Sequence, residues 1–254
     1  METGASAREA PVLLFERDGH AVYWLGAHQP TAFRCNAYLI KDGDTGVLVD
    51  PGGRTVFAAV REACEKVLPA AALSGMILCH QDPDVCASMT DWLDLNPSLT
   101  VFTSPRTQVL LPYYGRPDHR WHDVEAQPEL TLASGAKLRF VPAPFLHFPG
   151  AFVTFDEPSG FLFSGDVWAA LDFDWQLQVR SFEQHVPQMD LFHTEYMASN
   201  VAARGFVRRI EHLPISAILP QHGGILAREM VPEALNYLRN LRCGLDIIYP
   251  DLEP

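Results

Sequence analysis

Four apolar runs of strand length, far apart in the chain, each stop beside a turn-forming residue, and a side chain able to bind a metal cation stands at every stop. They end in Leu78-Cys79-His80-Gln81-Asp82-Pro83-Asp84, Phe145-Leu146-His147-Phe148-Pro149-Gly150, Phe163-Ser164-Gly165-Asp166 and Leu219-Pro220-Gln221-His222-Gly223-Gly224. Strand ends from distant segments meet along one edge of a layered sheet structure, which is where sites are built. In the first run the donors fall at every second residue, so an extended loop projects His80, Asp82 and Asp84 to one side. Pro83 biases Asp82 toward that extended backbone. Taken singly, each residue has an ordinary alternative. Asp82 can cap the following helix while His80 is a satisfied loop residue, and His147 can be a half-buried loop histidine. Asp166 can cap a short helix, and His222 can precede a glycine turn. The same context repeated four times favours one shared metal site.

The order of elements predicts the scaffold. Short β-rich runs at Val12–Phe15, Ala21–Leu25, Asn36–Ile40 and Gly46–Val49, separated by Asp18-Gly19 and Asp42-Gly43, read as an antiparallel meander. Val56, Val60, Ala63 and Val67 then recur at helical spacing within Arg54–Leu68. A strand over Met76–Cys79, a helix over Val85–Leu95, a strand over Thr100–Thr103 and a weaker helix over Thr107–Tyr113 complete the first half. A polar loop, Gly115–Gln127, separates it from strands at Glu129–Leu132, Lys137–Pro142, Ala151–Phe155 and Phe161–Ser164. Helices over Pro187–Leu213, a strand at Ile215–Leu219 and a helix over Ala227–Leu241 close the pattern. Two halves of similar grammar predict an α/β fold in which two sheets pack face to face between helices, a four-layer αββα sandwich. With 254 residues, 48% of them apolar, and neither a linker nor a repeat, one domain over residues 1–254 is expected.

Charge and cysteine usage narrow the partners. A formal net charge of -12 without a basic run argues against nucleic acid and anionic membranes, and no uncharged stretch is long enough for a membrane span. The first residues lack the basic, long-cored pattern of a secretory signal. Five cysteines, Cys35, Cys64, Cys79, Cys86 and Cys243, contain no C-x-x-C pair, so reduced thiols and a cytoplasmic location are expected.

The chain also resembles the metallo-β-lactamase fold in its flavodiiron branch. The matching pieces are Leu48-Val49-Asp50-Pro51-Gly52, the His80-x-Asp82-x-Asp84 loop, His147 before Pro-Gly, Ser164-Gly165-Asp166-Val167 and Pro220-Gln221-His222-Gly223. Tyr196-Met197-Ala198-Ser199-Asn200 is similar to a Tyr-Ala-Asn stretch of that branch. Hydrolases of the fold carry H-x-H-x-D-H at the first loop and flavodiiron proteins H-x-E-x-D-H; Asp82 at the middle position sides with iron. Two departures matter. Val85 stands where both branches have a histidine, and no flavodoxin domain follows before Pro254. The chain is therefore similar to the stand-alone oxygen-binding diiron proteins.

That resemblance implies a non-haem diiron protein that binds O2, an oxygen sensor, or an O2 or NO reductase where a partner supplies electrons. His80, Asp82 and His147 would hold one iron, Asp84 and His222 the other, and Asp166 would bridge ions about 3.5 to 4 Å apart, helped by a solvent hydroxide. Asp166 and His222 would stand nearest the chemistry, and Val85 would leave the second ion with open positions. Three carboxylates and three imidazoles suit iron, with Zn or Mn as alternatives. The implied partners are O2 or another diatomic ligand, a second copy in a homodimer, and an electron-donor or signalling protein. The competing reading is a dinuclear-metal hydrolase acting on esters, thioesters or phosphodiesters. Cys79 and Cys86 read either as local reductants or as buried filler. Phe145, Phe148, Trp168, Phe173 and Trp175 read equally as an apolar wall around the ions or as core packing, while His185 and His193 carry no assignment.

Overall fold

The meander begins with a hairpin whose central residues, Asp18 and Gly19, both have positive φ (51° and 84°), the geometry that matches the twist of the two strands it joins. The computed structural model describes residues 10–29, 31–172 and 174–251; Phe173 and the expectations for residues 1–9 and 252–254 lie outside the described residues. Strands β1 (Val12–Arg17), β2 (His20–Ala27), β3 (Asn36–Asp42) and β4 (Thr45–Val49) pair antiparallel in sequence order. Strands β5 (Leu73–Ile77), β6 (Thr100–Thr103) and β7 (Arg120–Asp123) extend this sheet in parallel to seven strands. Helices α1 (Phe57–Glu65), α2 (Pro83–Cys86), α3 (Met89–Leu95) and α4 (Pro105–Gln108) fall in the connections.

The second sheet is built from β8 (Glu129–Thr131), β9 (Lys137–Pro142), β10 (Phe152–Asp156), β11 (Phe161–Gly165), β12 (Ala217–Pro220) and β13 (Leu226–Ala227), in the order β13-β12-β11-β10-β9-β8. Only β11 and β12 run parallel in it, with α5 (Phe182–Tyr196) and α6 (Asn200–Ile210) in the crossover. Helix α7 (Val231–Asn240) and a short α8 (Leu245–Ile248) follow.

Side-chain alternation shows the layering. Phe152, Phe163, Ala217 and Leu219 point into the inner core, where Phe163 meets Tyr38 of the first sheet edge-on with ring centroids 5.4 Å apart. Their neighbours Val153, Phe155, Leu162 and Ile218 point the other way, onto Phe206, Val207, Leu235 and Leu238 of α6 and α7. Val60 and Ala63 of α1 cover the first sheet. This is the expected αββα sandwich, which buries both faces of both sheets.

Several local expectations are corrected. The polar loop Gly115–Gln127 contains β7, an edge strand whose Arg120 and Trp121 are exposed, so no apolar alternation marks it. The helix expected over Val85–Leu95 is two helices separated at Ala87 and Ser88. Of the helices expected over Pro187–Leu213, α5 starts earlier, at Phe182, capped by the Ser181 hydroxyl accepting from Gln184 N, and runs through Pro187. The Ser199 hydroxyl caps α6 by accepting from Ala202 N. Among the described residues no helix is long and apolar enough to cross a membrane.

Candidate metal centre

Strands β4, β5, β11 and β12 all end on one edge of the sandwich, and the segment between β9 and β10 turns at that same edge. His80 follows β5 on a turn fixed from beneath: the Cys79 amide donates to the carboxylate of buried Asp50, 3.0 Å away, at the end of β4. Burial pushes the Asp50 carboxyl up to about 6. Asp82 occupies the N-cap position of α2 with extended backbone (φ −64°, ψ 148°), but its side chain caps nothing. Its backbone carbonyl accepts from the Val85 and Cys86 amides, and its carboxylate turns toward His147 and His80. Asp166 likewise uses its backbone carbonyl for the turn, accepting from Ala169 N, and keeps its carboxylate free. The alternative capping roles for both aspartates are thereby set aside.

The six predicted side chains come together. Asp166 Oδ2 lies 2.9 Å from His147 Nε2 and 3.2 Å from His80 Nε2, and Asp82 Oδ2 lies 3.3 and 3.6 Å from the same two nitrogens. The other oxygen, Asp166 Oδ1, lies 3.3 Å from His222 Nε2, which is 3.2 Å from Asp84 Oδ2. Donor atoms set about 2.0–2.2 Å from a common centre at ordinary coordination angles stand about 3–3.5 Å apart, so these separations fit a cation in each group. Asp166 Oδ1 and His222 Nε2 are buried and find no hydrogen-bond partner among the described residues, as expected of donors aimed at an ion. The remote nitrogens are anchored: His222 Nδ1 donates to the Arg34 carbonyl at 3.0 Å, and His80 Nδ1 lies 3.0 Å from Cys79 Sγ. Such bonds leave the Nε2 lone pair for a metal.

Without a cation, protons hold the cluster together. Burial alone would lower the imidazole pKa values, but hydrogen bonds to Asp166 and Asp82 override it and push His147 up to about 9. His80 is raised by Cys79 and Asp166, and His222 by Asp166 and Asp84, in each case against burial. Burial opposes ionisation of Asp166 as well, yet the three imidazoles hold it well below the usual carboxylate range. A bound cation displaces these protons.

Other residues at the site escaped the sequence pattern. Cys35, just before β3, joins Asp84 and His222, with Sγ 3.5 Å from Asp84 Oδ2. Phe33 stacks on the His222 ring with centroids 3.7 Å apart. His193 is fully buried in α5, where its Nε2 accepts from the Trp168 amide at 2.9 Å and so pins the turn carrying Asp166. Burial pushes its pKa down to about 4, keeping it neutral. The cavity over the donors, about 210 Å³, is walled by Phe33, Leu171, Leu191, Phe192 and Tyr196. Trp168 and Trp175 follow the core-packing alternative and do not line the cavity: Trp168 is in the outer core, and Trp175 stacks on Trp24. Burial pushes the Cys79 thiol well up and the Cys86 thiol up to about 12, and both side chains pack in the inner core.

Two helix-covered sheets with paired donor clusters at their strand ends define a metallo-β-lactamase-type fold of the flavodiiron kind. The model of the ODP family beta lactamase matches residues 33–223, and the chain belongs to that family. It is similar to the chemotaxis sensor ODP from T. denticola in its apo state, with 34% identity, a TM-score of 0.82, and coverage of 95% of this chain and 98% of that one. A structure described as the peroxy diiron species of chemotaxis sensor ODP gives 33% identity, a TM-score of 0.84, and coverage of 96% and 100%. Diflavin flavoprotein A 1 of Synechocystis sp. (strain ATCC 27184 / PCC 6803 / Kazusa) is 28% identical over 215 residues, 81% of this chain and 36% of that protein. The chain spans about a third of the length of the diflavin flavoproteins it matches.

Proposed function

We propose that the chain is a non-haem diiron protein that binds O2, with sensing as its use. The observation that carries this reading is the sharing of one buried carboxylate: Asp166 turns one oxygen to His80 and His147 and the other to His222. His80, Asp82, His147 and Asp166 would hold one iron, and Asp84, His222 and Asp166 the other. A bound iron pair supplies the electrons and Lewis acidity on which O2 binding depends. The protein's own part is to fix the donors and exclude bulk water. His80 and His222 are locked through their remote nitrogens, and His193 and Asp50 hold the turns on which Asp166 and His80 sit. The apolar cavity wall suits a small neutral ligand better than the anionic substrates of a hydrolase. Likeness to the chemotaxis sensor ODP supports the sensing role.

A reductase cycle on this site would need electrons from a partner protein. Exposed Leu191 and Tyr196, on the rim of the cavity, support a docking surface for a donor, a signalling protein or a second copy in a homodimer. Five unpaired cysteines support a reducing, cytoplasmic compartment.

The test is the metal content and spectrum of protein purified anaerobically from iron-supplemented cells, before and after exposure to air. A pair of irons per chain and a persistent visible absorption after air are expected. A pair of zinc ions with rapid ester hydrolysis would overturn the proposal in favour of a hydrolase.

A further inference from the structure

We infer that Cys35 is a thiolate ligand of the second cation, so that one subsite binds through nitrogen and oxygen alone and the other through nitrogen, oxygen and one sulfur. This rests on the two-cation reading above. Cys35 is only 5% exposed. Its Sγ, a carboxylate oxygen of Asp84 and a ring nitrogen of His222 all lie within 4.8 Å of one another. The second, independent observation is His222 itself: fully buried, with Nε2 aimed between Asp84 and Asp166 and no hydrogen-bond partner among the described residues.

The backbone builds this arrangement. Cys35 and His222 form an isolated antiparallel bridge, and the Asn36 amide donates to the Gln221 carbonyl at 2.6 Å. Four consecutive residues then enclose the histidine. Phe33 lies on the ring face, the Arg34 carbonyl accepts a hydrogen bond from Nδ1, Cys35 stands beside Asp84, and the Asn36 side chain donates to the Pro220 and Gly223 carbonyls on either side. Val85 of α2 is fully buried in the inner core, so the position after Asp84 offers no ligand, and the thiol reaches the subsite from the segment just before β3. Cys79 does not compete, because its sulfur lies against Nδ1 of His80, on the side of the ring away from the carboxylates.

Binding breaks the Cys35 S–H bond and forms a sulfur–metal bond; the proton leaves to solvent and nothing is oxidised. A soft donor on one side only makes the subsites chemically unequal. The second prefers Zn or Fe over Mn more strongly than the first.

The experiment is X-ray absorption at the zinc edge of full-length protein loaded with zinc, with bound zinc counted in parallel. The expected result is one sulfur neighbour for every two zinc ions, a single terminal thiolate on the second ion at about 2.3 Å. Cys35→Ser is expected to remove the sulfur signal and weaken the second zinc at least about tenfold while leaving the first in place. Two zinc ions bound without a sulfur neighbour in the wild type, or a sulfur neighbour persisting in Cys35→Ser, would overturn the inference alone. Absence of paired zinc would overturn the two-cation reading and this inference with it. The wild-type spectrum decides the matter even if the variant folds poorly.

Discussion

Asp166 is the residue on which both subsites depend, because three imidazoles crowd around its two oxygens and, among the described residues, no other carboxylate faces both clusters. Asp166→Ala is therefore expected to release metal from both subsites, weakening each by at least about tenfold. Elemental analysis after gel filtration checks this, and retention of a full pair would remove the bridge from the mechanism. The proposed donors were legible in sequence where each stands at the end of an apolar strand beside a proline or glycine, a context that survives without coordinates. Cys35 was not. Its segment Phe33-Arg34-Cys35-Asn36 has no internal donor spacing, and its partners Asp84 and His222 are 49 and 187 residues away. His193 and Asp50 act through backbone amides of other elements, and a contact made only by tertiary folding leaves no local signature.

At the scale of elements, the two sheets are joined at the site by the start of β3. Asn36 accepts from the Trp24 indole at 2.9 Å and donates to the carbonyls of Pro220 and Gly223 at 3.0 and 2.9 Å. Those carbonyls have other donors, Tyr38 Oη and Trp175 Nε1. Removal of the amide thus orphans chiefly one buried indole N–H, at a cost of about 1–3 kcal/mol. Asn36→Ala is expected to lower Tm by about 2–10 °C. It should also weaken the cation at His222 while sparing the one at His147; calorimetric melting and stepwise metal titration check the two effects. Equal weakening of both would mean that β3 does not position the second subsite separately. The same scale shows what patterning misses. Strand β7 is polar because it is an edge, β13 has two residues, and α5 runs through a proline that normally marks a helix start. The apolar strands and their order were legible because burial on both faces writes continuous hydrophobic runs.

Across the whole molecule, the end of the sandwich opposite the metal centre is closed by a separate polar knot. His20 of the first sheet lies 3.0 Å from Asp156 of the second and 3.4 Å from Asp42, and Asp42 accepts from the amide and hydroxyl of Ser134 at 2.8 and 2.6 Å. Burial lowers the His20 pKa, but the two carboxylates outweigh it, and the net shift is upward. Burial likewise opposes ionisation of Asp42, yet the Ser134 hydrogen bonds and His20 hold it below its usual value. The signs set the window. A raised histidine contributes stability that is complete below its unfolded pKa of about 6.5 and is lost as pH rises through the folded value; a depressed aspartate contributes stability that is lost as pH falls below its ordinary range near 4. The knot should be strongest between those limits. The raised imidazoles His80, His147 and His222 at the metal edge titrate in the same direction, so the knot has to be isolated by difference. The gap in Tm between wild type and His20→Gln, both stripped with chelator, is expected to be widest near pH 6 and to narrow toward pH 9. A gap independent of pH would show that His20 holds the sheets together as a neutral hydrogen-bonding group and carries no charge in the fold.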